Sequence, residues 1–233
     1  MHTMTRREAL ALGGSAAVAM LGGGGVLAQR QGGDPVGDHI FREAVRLGKE
    51  LQGSPRRPDT IAALATNFRL HVEHARATGL DARLAAAVGR HMDRVGRDAF
   101  IDLASDPQIE MRHHKLLQSL GLGDLHVETG SLPRSAYEQG LTAILVGGVT
   151  PTLDRAASAL EQLRTRIGRL AIAQNGVRVQ LGCEGFRAIC EFFKVLVAII
   201  CAAAAVDPLL VPICAVLAVE SATACFLAWL GGC

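Results

Sequence analysis

The C-terminal stretch 183–233, CEGFRAICEFFKVLVAIICAAAAVDPLLVPICAVLAVESATACFLAWLGGC, contains all six cysteines of this 233-residue chain. The rest of the stretch is strongly apolar, and Asp207-Pro208 interrupts it near its middle. A residue before proline avoids the helical conformation, so we predict two helices that meet at this point. The cysteines are placed symmetrically about the interruption, as the pairs Cys201 and Cys214, Cys190 and Cys225, and Cys183 and Cys233.

This symmetry predicts three nested disulfides. Residues equally far from the turn lie opposite each other in two antiparallel helices, and the cysteine spacings within each helix return to nearly the same face. We therefore predict Cys201–Cys214, Cys190–Cys225 and Cys183–Cys233. Six cysteines allow about fifteen connectivities, and only the helix geometry favours this one. Neighbours such as Cys183 and Cys190 would be about 10 Å apart on one helix, beyond disulfide reach. A metal cluster is the other interpretation, but tight loops usually supply its ligands.

The surface of the predicted hairpin is also very apolar. Its second helix carries one charge, Glu220, after the turn. Neither helix has 18 consecutive uncharged residues, so the sequence does not predict a standard transmembrane hairpin. So apolar a surface must be covered by a helical bundle, another copy or a lipid bilayer.

The region before the hairpin is rich in alanine and leucine, and cap residues divide it into helices. Short loops favour antiparallel neighbours. The predicted fold class is therefore all-α, with a helical bundle followed by a disulfide-stapled C-terminal α-hairpin. A polar loop is expected over 121–131, and the six predicted helices cover 34–53, 59–79, 81–104, 106–121, 133–146 and 150–176.

Several histidines of this region are candidate metal ligands. His71 and His74 lie one turn apart and could meet His91 around zinc, whereas Glu110 and His113 have the Glu-x-x-His spacing of carboxylate-bridged metal sites. The second such pair and the extra glutamates of those sites are missing, so we expect solvated polar faces and no metal. The catalytic motifs Gly-x-Ser-x-Gly, His-Glu-x-x-His and Walker A are absent as well. We predict a non-enzymatic protein without a cofactor, and the net charge of +2 does not indicate nucleic-acid binding.

The N-terminus resembles a twin-arginine (Tat) signal. Thr5, Arg6, Arg7 and Leu10 match the motif, whereas alanines replace its usual phenylalanine and lysine. A moderately apolar, glycine-rich stretch follows, and small residues up to Ala28 offer a cleavage site. The resemblance implies that residues 1–28 are a signal peptide, that the Tat translocase is a partner during export, and that the protein is secreted or periplasmic. The alternative is a short anchor helix that is never cut.

The layout of the whole chain resembles that of microhalocin precursors, whose C-terminal cysteine-rich peptide is antimicrobial and whose intervening part can act as an immunity protein. The three predicted regions are 1–28, the bundle 29–176 and the hairpin 177–233. This chain has fewer cysteines than that family and lacks the acidic composition of halophiles. The resemblance implies a bacteriocin-like hairpin that acts on the lipid bilayer of target cells. The alternative is an exported binding or structural protein, with the hairpin as an integral part that docks on an envelope protein.

Overall fold

The computed structural model describes residues 34–55, 57–127, 132–172, 183–204 and 210–230. Within these ranges the chain forms nine α-helices and one short 3₁₀ turn, Gly123–Leu125, and no strand. The all-α prediction is confirmed. The helices are α1 Pro35–Gly53, α2 Pro58–Ala77, α3 Leu80–Val95, α4 Arg97–Ala104, α5 Pro107–Ser119, α6 Arg134–Gly147, α7 Thr150–Ile172, α8 Cys183–Ala204 and α9 Val211–Leu230. We call α1–α7 the bundle and α8 with α9 the hairpin.

Some predicted features lie outside the described residues. These are the signal residues Arg6, Arg7, Leu10 and Ala28, the boundary near residue 176, the turn at Asp207-Pro208, and Cys233.

Capping carboxylates explain the starts of two helices, α1 and α5. The Asp34 carboxylate accepts a hydrogen bond from the Gly37 amide at 2.9 Å, and the Asp106 carboxylate accepts one from the Gln108 amide at 2.8 Å. Both satisfy amides that have no partner within their own helix. The predicted starts of α1 and α5 are thereby confirmed. In α2, Pro58 occupies the first turn after Arg57, so Asp59 lies inside the helix and is not its cap.

The predicted helix 81–104 is wrong as one element, because Gly96 divides it into α3 and α4. Gly96 has φ +87° and ψ 152°, values outside the helical region that glycine adopts without a Cβ clash. The break allows α4 to turn and pack against the hairpin helix α8. The helix predicted over 106–121 also ends earlier, at Ser119, and the 3₁₀ turn lies inside the loop expected over 121–131.

The hairpin forms the centre of the fold. Helix α8 packs along α9, and together they contact every helix of the bundle. Every residue of α9 from Cys214 to Ala228 is buried. A helix that is apolar and covered on all sides belongs to the interior of a protein or to a membrane. The sequence left three possible covers for the apolar hairpin, namely a helical bundle, another copy or a lipid bilayer. In the structure the bundle covers it.

Two of the predicted disulfides join α8 to α9. Cys190 is bonded to Cys225 with the Cα atoms 4.7 Å apart, and Cys201 to Cys214 with the Cα atoms 5.2 Å apart. Both pairings of the nested arrangement are confirmed. Disulfides of this kind are consistent with an oxidising location. The third pair, Cys183–Cys233, stays a prediction, since Cys233 lies outside the described residues.

Asp81 caps a helix other than the predicted one. Helix α3 begins at Leu80 after Gly79, and the Asp81 carboxylate reaches across to the start of α7. There it accepts hydrogen bonds from the Val149 amide at 2.7 Å and from the Thr150 hydroxyl at 2.5 Å. This carboxylate therefore joins two segments that are far apart in the chain.

Gly148 is required beside this cap. Its φ is +74°, and a Cβ added there would lie 2.1 Å from the Asp81 Cγ atom. We expect Gly148→Ala to lower the free energy of unfolding by about 1–3 kcal/mol, from backbone strain and displacement of the cap. Gly147→Ala is the matched control, because a Cβ there would meet no atom within 4 Å. Urea unfolding of both variants tests this, and equal stabilities would contradict it.

Candidate functional site

The seam between the bundle and the hairpin carries the polar side chains that the sequence singled out. We define this seam by the residues His71, His91, Glu110 and His113 of the bundle, and Lys194, Ala202, Ala218 and Glu220 of the hairpin. Each bundle residue of the set bonds to one hairpin residue. Four of the five predicted metal candidates, all except His74, therefore join the bundle to the hairpin.

His71 forms the most deeply buried polar contact of the seam. Its Nδ1 lies 2.9 Å and 3.0 Å from the two carboxylate oxygens of Glu220 in α9. The two side chains are 5% and 0% exposed, respectively. A buried carboxylate without a partner would be very costly, so the imidazole is what allows Glu220 to lie inside the core.

His91 and His113 bond to backbone carbonyls of the hairpin. The Nε2–H of His113 donates to the Ala218 carbonyl at 2.9 Å, and the His91 ring donates to the Ala202 carbonyl. The His91 ring also lies edge-on to Phe100, with the ring centroids 5.0 Å apart. The Ala218 carbonyl lies in the middle of α9 and already accepts a bond within the helix, so His113 uses its second lone pair, whereas the Ala202 carbonyl lies in the last turn of α8, where carbonyls lack a partner within the helix.

Burial changes the acidity of both rings. It lowers the pKa of His91, where Arg94 adds to the effect and the Ala202 hydrogen bond opposes it. It lowers the pKa of His113 to about 4, against the opposing hydrogen bond to Ala218. The His113 ring is therefore neutral at neutral pH, with the proton on Nε2 and a lone pair on Nδ1.

An ion pair completes the seam. The Lys194 ammonium of α8 lies 2.9 Å from the Glu110 carboxylate of α5. The Lys194 side chain is 15% exposed and that of Glu110 is 43% exposed, so water screens the pair on one side. Glu110 is thus bound to a lysine and His113 to a backbone carbonyl.

The expectation of solvated polar faces is wrong for part of the set. His71 and His91 are each 4% exposed, and His113 is partly buried. Glu110 fits it, with a side chain that is 43% exposed, and His74 comes near it, since it is 17% exposed and pairs at 2.7 Å with the half-exposed carboxylate of Asp34. In the part of the chain that the structure describes, no three metal-ligating side chains converge. The sequence analysis did not identify Lys194 or Ser221 as functional candidates. The i, i+3 spacing of Ala218 and Ser221 on α9 is the one signal in the sequence that places Ser221 near the carbonyl to which His113 bonds.

Helix α9 is long and apolar enough to span a bilayer. Its segment Val211–Trp229 has a mean hydropathy of 1.9 and contains one ionisable residue, Glu220. In the structure 83% of this segment is buried inside the protein. The same composition therefore serves here as the core of a helical domain.

No protein-family model, curated protein or solved structure matches this chain. The function is therefore argued from the geometry of the seam and of the hairpin.

The buried pair generates a first prediction. We expect His71→Ala to lower the free energy of unfolding by about 3–5 kcal/mol, because it leaves the Glu220 carboxylate buried without a partner. His74→Ala is the matched control and should cost less than about 1 kcal/mol, since its partner Asp34 is half-exposed. Urea unfolding measures both changes. Similar losses in the two variants would contradict a special role for the buried pair.

The pKa of His113 generates a second prediction. The folded-state pKa of about 4 lies below the ordinary value of 6.5, so the neutral ring contributes stability above pH 6.5 that is lost as the pH falls towards 4. Glu110, Lys194 and His126 face the same ring. Protonation of His113 should lower the free energy of unfolding of the wild type by at most about 3 kcal/mol.

The test compares urea unfolding at pH 7.5 and pH 4.5. His113→Gln keeps a donor for the Ala218 carbonyl but cannot be protonated, so it should lose less stability on acidification than the wild type. His39→Gln changes an exposed histidine and should behave as the wild type. An unchanged loss in His113→Gln would show that this ring does not control the acid response.

Proposed function

We propose that this chain is an exported, non-enzymatic protein whose bundle stores a membrane-active, bacteriocin-like hairpin in a covered, inactive form. The observation that carries the proposal is that α9, whose apolar segment could span a bilayer, is buried between α8 and the helices of the bundle. Exposed alone, this surface would aggregate or enter a membrane. The bundle keeps it from both.

The length and charge of α9 support this proposal. A helix of 20 residues is about 30 Å long, which matches the hydrocarbon thickness of a bilayer. Its one ionisable residue, Glu220, would cost about 2.5–3.5 kcal/mol at the bilayer centre. In the bundle the same carboxylate bonds to His71. This pair therefore favours the stored state over the inserted one.

The disulfides support the same proposal. They join α8 to α9 and not the hairpin to the bundle. A hairpin that left the bundle would remain covalently closed, because each bond lies within the hairpin. Closing the 201–214 loop contributes about 3 kcal/mol by loop entropy, which matters most for a segment without a core of its own.

A vesicle experiment tests the proposal. A specific protease site is inserted between residues 176 and 181, and dye release is measured from phosphatidylcholine–phosphatidylglycerol vesicles before and after cleavage. We expect little release from the intact chain and strong release after cleavage, because the cut removes the covalent link between the bundle and the hairpin. Equal release before and after cleavage would contradict storage by the bundle.

Two variants sharpen this test. Glu220→Gln weakens the contact with His71 and lowers the cost of insertion, so the cleaved variant should release dye several-fold faster than the cleaved wild type. Glu191→Gln is the control, since this residue lies on the exposed side of α8 in an ion pair with Arg187. If cleaved Glu220→Gln releases no dye, the hairpin is not membrane-active.

A second function has its own support, namely an envelope binding or structural protein with an integral hairpin. Hairpin residues are part of the bundle core. For example, the ring of Phe193 in α8 lies edge-on to the ring of Phe68 in α2, with the ring centroids 6.0 Å apart. This alternative predicts that deletion of the hairpin unfolds the bundle and that no fragment starting near Leu181 is released. Mass spectrometry of the exported protein distinguishes the two functions by the presence or absence of that fragment.

A further inference from the structure

A cavity opens on the seam, between the bundle helices α5 and α6 and the hairpin. Its volume is about 80 Å³ and its lining is mostly apolar. The hairpin supplies the apolar floor, which includes Val197, Ala198 and Ala222. The bundle supplies polar groups on the other side, among them Glu110, His113 and Tyr137, whose pKa is raised by burial and by Glu110. An apolar pocket with a few convergent polar groups is the usual form of a small-molecule site.

Ser221 lines this cavity and its hydroxyl has no hydrogen-bond partner. The residue is 1% exposed, and its Oγ is one of the few buried polar atoms without a partner among the described residues. Two positions later on the same helix, the Thr223 hydroxyl donates to the Val219 carbonyl at 2.9 Å, as buried hydroxyls in helices commonly do. A buried hydroxyl that makes no such bond needs an explanation.

His113 adds a second polar group beside Ser221. Its Nε2 is bonded to Ala218, which lies one helical turn before Ser221 on α9. The ring is neutral at neutral pH because of its burial, so its Nδ1 accepts a hydrogen bond and cannot donate one. A ligand group that both donates and accepts, such as an alcohol hydroxyl, suits this pair.

The charges and the hydrogen-bonding groups around the cavity disfavour the other simple head groups. Asp106 and Glu110 carry two negative charges there, and Lys194 carries one positive charge that Glu110 already neutralises. A carboxylate ligand would therefore meet a net negative rim. An ammonium ligand could donate to His113 Nδ1 and to the Ser221 oxygen, but it would leave the Ser221 proton without an acceptor and would lose its hydration in a mostly apolar pocket.

We propose that this cavity is a binding site for a short-chain alcohol, or for the alcohol end of a larger amphiphile. The alkyl part lies on the floor formed by the hairpin, and the hydroxyl bonds to Ser221 Oγ and to His113 Nδ1. The volume is about half of the roughly 150 Å³ of a cavity known to accept benzene, so the cavity encloses the hydroxyl and the first carbons, and the rest of the chain extends through its opening. Binding of a small molecule at this site would be a function separate from storage of the hairpin. Because α5, α6, α8 and α9 all contribute to it, an occupant also strengthens the hold of the bundle on the hairpin.

The test is a titration of the ¹⁵N-labelled full chain at neutral pH, followed by NMR. The probes are 1-pentanol, pentanoate and pentylamine, which share one chain length and differ in head group. We expect saturable shifts around Ser221 with 1-pentanol, and binding of pentanoate and pentylamine that is about tenfold weaker or absent. Shifts that do not saturate, or equal shifts with all three probes, would mean that 1-pentanol binds only as an adventitious additive. Either result would overturn the proposal.

Three variants separate the site from general surface binding. Ser221→Ala removes the hydroxyl without a partner, so it should leave the stability unchanged or higher while weakening 1-pentanol binding by about 3–10-fold. Ala222→Leu should fill the cavity and abolish binding. Thr223→Val is the matched control, since its hydroxyl bonds within the helix, and it should bind 1-pentanol as the wild type does. Unchanged binding in Ser221→Ala and Ala222→Leu would overturn the proposal.

Discussion

The burial of an apolar hairpin inside the bundle is the constraint on which the rest of this structure depends. Helix α9 is covered along almost its whole length, and α8 is buried from Val195 to Ile200. Removing so much apolar surface from water is the main favourable contribution to folding. The amphipathic helices of the bundle turn their apolar faces to one core that they share with the hairpin.

The polar contacts of the seam decide how the hairpin lies in the bundle. Apolar packing is not directional, so it does not by itself select one rotation or one depth for a helix as uniformly apolar as α9. The bonds from His71 to Glu220 and from His113 to the Ala218 carbonyl do select one, since a shift of one residue would break both. These histidines are therefore positioning residues of the fold.

The bundle and the hairpin share one continuous apolar core. Phe193 of α8 packs in the same core as Phe68 of α2, so the two parts stabilise each other in the folded protein. The disulfides then act within the hairpin, and their largest effect is expected where the hairpin has no bundle around it.

The sequence by itself determined the helical class, the hairpin and the two observed disulfide pairings. Helix capping and cysteine spacing are local or periodic properties, so they can be read along the chain. The tertiary structure alone decided what covers the hairpin, why Asp81 caps α7, and what His71, His91 and His113 do. These depend on contacts between residues as far apart as His71 and Glu220, and the physical cost of burying a carboxylate selects its partner only once the helices are packed.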